Sequence, residues 1–203
     1  MRICFIGDSF INGTNDPDCL GWVGRACARA RRRGIELTVY NLGIRRDTSA
    51  DVAARWQAET LARQPADQSG LLVFSFGVND GTTDESGRPR AALADTLANA
   101  GATLAEARRR HPTLMVGPPP IDDDAVNARS RVLSEALARL CHDLGVPFLD
   151  IFTPLERHPL WRREVAANDG AHPGAAGYGV LADLVTAWPE WWAALTGQRI
   201  SLR

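Results

Sequence analysis

Short, unbroken apolar runs recur along the chain at residues 3–6, 71–76, 114–116 and 146–149, and residues 37–41 add a further one. Because these runs are continuous rather than alternating, they predict strands covered on both faces. Between them lie alanine-, leucine- and arginine-rich stretches with helical spacing, at 22–33, 49–63, 92–110 and 129–144. Strand therefore alternates with helix, the pattern of an α/β protein whose parallel sheet carries helices on both faces. Right-handed crossovers bring the carboxyl ends of such strands together along one edge, where ligands bind.

Local punctuation agrees with this layout. Gly34 follows the arginine run at 29–33 and Gly145 follows the stretch at 129–144; both suit the left-handed turn that ends a helix. Pro118, Pro119 and Pro120 cannot continue a ladder, so the strand ending near Val116 must leave the sheet there. The segment 121–128 reads as a polar loop. Its Asp122, Asp123 and Asp124 read as solvated acids rather than metal ligands, since neither histidine nor spaced oxygen donors accompany them. Trp188, Trp191 and Trp192 are expected to pack a terminal helix, with a substrate groove or dimer contact as the other reading.

With 203 residues, 45% of them hydrophobic, one sizeable core is possible, and residues 1–203 are expected to form a single domain. A net charge of -1 supplies no general basic field for nucleic acid or an anionic membrane. Arginine carries the whole positive complement, as the chain has no lysine. Charges, glycines and prolines interrupt each apolar run short of the roughly 18–20 residues that span a bilayer. The opening residues lack the basic region and longer apolar stretch of a secretion signal, so a cytoplasmic protein without stable membrane insertion is expected. Cys4, Cys19, Cys27 and Cys141 form neither a CxxC pair nor a disulfide scaffold; Cys4 and Cys27 read as buried thiols, Cys19 as exposed.

Three motifs carry candidate chemistry. Gly7-Asp8-Ser9-Phe10 stands where the first strand ends, which puts Ser9 on the ligand edge. A serine hydroxyl becomes nucleophilic only beside a base that a carboxylate orients; alone, Ser9 reads equally as a helix cap. Asn168-Asp169-Gly170-Ala171-His172-Pro173 places an aspartate three residues before a histidine, ahead of the final helix. Histidine, with an ordinary pKa near 6.5, suits proton shuttling, and Asp169 could orient it; the rival reading is a capped loop. Gly77-Val78-Asn79-Asp80 follows the strand at 71–76, so Asn79 is aimed at the same edge, either as an oxyanion donor or as a turn residue.

Together these motifs closely resemble the SGNH hydrolase superfamily, the GDSL-like esterases and lipases, whose blocks are matched in order by Gly7-Asp8-Ser9-Phe10, Gly77-Val78-Asn79-Asp80 and Asp169-Gly170-Ala171-His172. The resemblance spans nearly the whole chain. It implies a three-layer α/β/α sandwich with a flavodoxin-like central parallel sheet. It further implies an esterase with Ser9 as nucleophile, His172 as base and Asp169 as acid partner. In the family a glycine two residues before a threonine supplies one oxyanion N–H. In Asn41-Leu42-Gly43-Ile44-Arg45-Arg46-Asp47-Thr48 that position is Arg46, so the implied oxyanion hole is Ser9, Arg46 and Asn79. An arginine still offers its backbone N–H there, and its guanidinium could hold an oxyanion or a substrate carboxylate, a role Arg46 is expected to fill ahead of Arg45. The bland alternative is a salt-bridged surface arginine.

The expected chemistry is hydrolysis of a small-molecule carboxylic ester, with a short acyl or acetyl group, through an acyl-enzyme and without metal or cofactor. Residues 13–20, 81–90 and 118–128 are expected to wall the pocket. The rival from another class is a noncatalytic ligand-binding protein of the same fold, its oxyanion site closed by the Arg46 side chain. A doubly wound nucleotide binder is disfavoured, because neither GxGxxG nor GxxxxGK[ST] follows the first strand.

Overall fold

A computed structural model describes residues 1–65 and 68–197. Strand β1 (Arg2–Gly7) passes through the one-turn α1 (Ser9–Asn12) and α2 (Gly21–Arg32) to β2 (Thr38–Gly43), and α3 (Ser49–Leu61) leads on to β3 (Gly70–Ser75). Next come the short α4 (Val78–Gly81), α5 (Leu93–Arg110), β4 (Thr113–Val116), α6 (Asp124–Leu144) and β5 (Phe148–Leu149). The chain closes with α7 (Phe152–Glu156), α8 (Pro159–Ala167), α9 (Ala175–Ala187) and α10 (Pro189–Thr196). The five strands pair in parallel in the order β2-β1-β3-β4-β5.

Each unbroken apolar run proves to be two interleaved faces, because successive strand side chains point to opposite sides. Ile3 and Phe5 of β1, with Leu71 and Val73 of β3, pack under α2, α8, α9 and α10. Cys4 and Ile6, with Leu72 and Phe74, pack under α3, α5 and α6. This is the three-layer α/β/α sandwich. The terminal tryptophans belong to its core: Trp191 is fully buried, 6.2 Å from the Phe5 ring. Cys4, Cys27 and Cys141 are buried as well, and desolvation pushes each thiol up to about 12; Cys19 is exposed.

Gly34 and Gly145 take the left-handed conformation at the ends of α2 and α6. The segment 121–128 departs from the polar loop expected of it. Helix α6 starts at Asp124, with Asp123 as its N-cap accepting from the Val126 N–H at 2.9 Å, and Val126 is 3% exposed. One buried valine among acids is too weak a signal for sequence periodicity to register. No helix among the described residues is long and apolar enough to cross a membrane.

The sheet order reverses direction beside β1, and the crevice beyond the strand ends at such a reversal is the natural ligand position. The register sets Gly7 level with Gly43 of β2 and Ser75 of β3, so three strand ends finish together. They finish too closely for side chains. A Cβ on Gly7 would meet the Ser75 carbonyl oxygen at 1.8 Å, and one on Gly43 would meet the Asn12 nitrogen at 2.2 Å.

Candidate active site

Asp8, not Ser9, caps α1. Its Oδ1 accepts from the Phe10 N–H at 3.0 Å, which leaves the Ser9 hydroxyl uncommitted to the helix. Ser9 stands at the first helical position with 4% exposure. Its Oγ lies 2.7 Å from His172 Nε2, and His172 Nδ1 lies 2.9 Å from Asp169 Oδ2. The structure thus brings the first and third motifs into one connected relay.

The histidine loop is held from several sides. Asp169 Oδ1 accepts from the Ala171 N–H at 3.0 Å and the His172 N–H at 2.9 Å, folding the loop around the carboxylate. The Asn168 amide donates to the His172 carbonyl at 3.1 Å. Gly170 and Asp122 join the loop to the start of α6, through an N–H to carbonyl bond of 2.8 Å. The Phe10 ring lies 4.8 Å from the imidazole, and Trp161 stacks behind Phe10.

Electrostatics follow from this packing. Burial lowers the His172 pKa below its ordinary value, outweighing the hydrogen bond and charge of Asp169, and the Arg45 charge lowers it further. Desolvation alone would raise Asp169. The hydrogen bonds from the His172 N–H, the His172 ring and the Ala171 N–H outweigh it and hold this carboxyl far below the usual range. The ring therefore rests neutral and the carboxylate ionised at neutral pH, the states a proton-accepting histidine needs.

The second wall is the turn after β2. The Ile44 N–H donates to the Gly7 carbonyl at 3.0 Å, and the Asp47 N–H returns to the Ile44 carbonyl at 3.3 Å. Arg46 takes φ 70° in this turn, a left-handed conformation that favours glycine. Asn79 lies in α4, and its Nδ2 donates to the Asp47 carbonyl at 2.9 Å. One amide N–H is thereby used and a second is left. The backbone N–H groups of Ser9 and Arg46 have no acceptor among the described residues.

The family model of the GDSL-like Lipase/Acylhydrolase family matches residues 5–180. The chain belongs to that family. As a GDSL-like hydrolase it acts on esters, with small-molecule esters as its substrate class. Solved structures share its fold. A lipase/acylhydrolase from Enterococcus faecalis is similar at a TM-score of 0.74 and 21% identity, covering 100% of this chain and 99% of that one. An acetylxylan esterase from Geobacillus stearothermophilus is similar at 0.74 and 18%, covering 100% and 97%. A lipolytic protein of the G-D-S-L family from Veillonella parvula is similar at 0.72 and 18%, covering 93% and 97%. No curated protein matches the chain.

Within this GDSL-like hydrolase the two adjacent arginines behave differently. Arg46 is exposed, and its side chain makes no hydrogen bond or ion pair among the described residues; only its carbonyl is engaged, accepting from Arg90 at 2.9 Å. Arg45 is the guanidinium whose charge reaches His172 and Tyr178. Sequence reasoning favoured Arg46, since it aligns with the family glycine; it had no means of reading which way each side chain leaves the turn.

Two buried aspartates also escaped it. Asp80 accepts from the Ser49 N–H at 2.9 Å, the Ser49 hydroxyl and the Thr96 hydroxyl at 2.9 Å, tying α4 to α3 and α5. It does not bond His172, and its place is to fix the segment bearing Asn79. Asp8 is 1% exposed; burial above all, with the charges of Asp80 and Asp47, pushes its carboxyl up to about 7. Of the segments expected to wall a pocket, 13–20 is pinned by Asp16, which accepts from the Gly21 N–H at 2.6 Å and pairs with Arg25.

Proposed function

We propose that this chain, as a single domain, is a serine esterase for short-acyl, foremost acetyl, esters and works through an acyl-enzyme. Ser9 Oγ attacks the ester carbonyl carbon while His172 Nε2 takes its proton. Asp169 holds the imidazole by Nδ1 and stabilises the imidazolium that forms. The negative oxygen of the tetrahedral intermediate is received by the N–H groups of Ser9 and Arg46 and by the free amide N–H of Asn79. His172 then gives its proton to the leaving alcohol oxygen, and the same histidine activates a water that hydrolyses the acyl group from Ser9. No metal or cofactor takes part in these steps.

The observation that carries the reading is the unbroken relay of 2.7 Å and 2.9 Å from hydroxyl to imidazole to carboxylate. The 4% exposure of Ser9 favours a small acyl group over a long chain. The fold likeness to an acetylxylan esterase is compatible with an acetylated carbohydrate. The test is steady-state hydrolysis of p-nitrophenyl acetate, butyrate and octanoate, together with labelling by a fluorophosphonate probe. Turnover is expected to fall with acyl length, and Ser9→Ala is expected to lose both labelling and turnover. A Ser9→Ala protein with wild-type turnover would exclude the mechanism.

A further inference from the structure

The segment that carries the histidine runs from the end of α8 into the first turn of α9, and Glu164 grips it at both ends. At the entry, the Asn168 N–H donates to the Glu164 carbonyl at 3.1 Å, and the Gly170 N–H donates to the Val165 carbonyl at 3.1 Å. At the exit, Glu164 Oε2 accepts from the Gly177 N–H at 2.7 Å. His172 lies between the two grips, and Asn168 closes the interval by donating its amide to the His172 carbonyl at 3.1 Å.

The exit needs this carboxylate. Gly174 is the N-cap of α9 and has no side chain to offer, and the first turn of that helix holds no acid. Its orphan N–H groups and the positive end of its dipole call for an acceptor from elsewhere, which Glu164 supplies from α8. The sequence leaves room for it. A Cβ on Gly174 would lie 3.3 Å from Glu164 Oε2, and one on Gly177 would lie 3.0 Å from Oε2 and 2.5 Å from Pro173 Cβ.

The two bonds of the relay differ in what they depend on. Asp169 and His172 are joined inside the segment and travel with it. The 2.7 Å contact from His172 Nε2 to Ser9 Oγ instead crosses to α1, so it depends on where α8 and α9 hold the segment. We propose that Glu164 is a positioning residue of the relay, whose carboxylate fastens the His172 segment to α9 and so sets the imidazole within reach of Ser9. The proposal rests on the reading of Ser9 as nucleophile and His172 as its base.

The test measures kcat and KM on p-nitrophenyl acetate and the rate of Ser9 labelling by a fluorophosphonate, with stability followed by urea unfolding. Glu164→Ala is expected to lower kcat and the labelling rate about 10- to 100-fold with KM within about twofold, because a small displacement of the base costs turnover rather than binding. Glu164→Asp keeps the charge but falls one methylene short of Gly177, and is expected to behave as Glu164→Ala does. Glu164→Gln keeps the reach and an acceptor oxygen without the charge, and is expected to hold kcat within about threefold of the wild type. Adding Gly174→Ser to Glu164→Ala gives α9 a cap of its own. This double variant is expected to regain stability while kcat stays low, because the tie from α8 to α9 is still missing; should Glu164→Ala lose its fold, the double variant carries the comparison. Recovery of kcat along with stability overturns the proposal by reducing Glu164 to a helix cap. An active Glu164→Asp beside an inactive Glu164→Gln also overturns it, by putting charge in place of reach. Failure of the wild type to label or to turn over the ester overturns the Ser9 reading and this proposal together, whereas wild-type kcat in a folded Glu164→Ala overturns this proposal and leaves the Ser9 reading standing.

Discussion

Two aspartates stand near the same site, and their carboxyl pKa values are displaced in opposite directions. Asp8, the neighbour of Ser9 in sequence, is buried, accepts one backbone N–H, and is pushed up to about 7 by desolvation and by the charges of Asp80 and Asp47. Asp169, from the far end of the chain, sits at the lip with its side chain 38% exposed. Partial desolvation works against its charge, yet three converging donors hold its carboxyl far below the ordinary range. Burial prevails at Asp8 and converging donors prevail at Asp169, so nearness to the nucleophile decides neither.

The largest expected effect separates the two by turnover. Asp169→Asn removes the acceptor that fixes the His172 tautomer, and kcat on p-nitrophenyl acetate is expected to fall by about 10³–10⁴. Asp8→Asn keeps the Oδ1 that caps α1 and is expected to cost less than about tenfold in kcat. A comparable loss in both variants, each shown to be folded by circular dichroism, would break the comparison.

The next effect is on stability. The folded pKa of Asp8 lies near 7, above the unfolded value near 3.8. Its contribution is therefore fully present below pH 3.8 and is lost as pH rises through about 7, where the native state must ionise a buried carboxyl. Urea unfolding is expected to show Asp8→Asn gaining stability relative to the wild type between pH 4 and pH 8, by on the order of 2–4 kcal/mol. A constant difference across that range would mean that Asp8 is ionised throughout.

A smaller effect concerns the pH profile. Because burial and the Arg45 charge lower the pKa of His172 against the pull of Asp169, the acid limb of kcat/KM is expected to turn below the ordinary histidine value of 6.5. More than half of the plateau activity should remain at pH 6.5. Asp169→Asn, stripped of the one carboxylate favouring the imidazolium, should move the limb lower still. A limb above pH 6.5 in the wild type would show that Asp169, not burial, dominates the ring.

How far the sequence disclosed this molecule follows from the range of the forces involved. The runs at 3–6 and 71–76 announced strands because an unbroken apolar segment needs cover on both faces, and the two core clusters supply it. Ser9, Asn79, Asp169 and His172 were legible because each sits in a short motif at or near the ligand edge. The fates of Asp8 and Asp80 were not. Both depend on which elements pack over them, as when Ser49 of α3 and Thr96 of α5 converge on Asp80. The shape of the turn after β2 was equally hidden, since its two anchors, Gly7 and Asn79, come from distant parts of the chain.

The smallest effect probes that turn. Arg46 holds φ 70°, where a side chain costs roughly 1–2 kcal/mol relative to glycine. Its side chain has no partner among the described residues, so little is lost by removing it. Arg46→Gly relieves the strain but frees the unfolded chain, at a cost of roughly 0.5–1 kcal/mol. The net expectation is a gain of about 0.5 kcal/mol in urea unfolding, with the backbone N–H still in place to serve an oxyanion. Turnover should therefore hold within about twofold. A fall of tenfold or more, at unchanged stability, would show that the guanidinium itself enters the reaction.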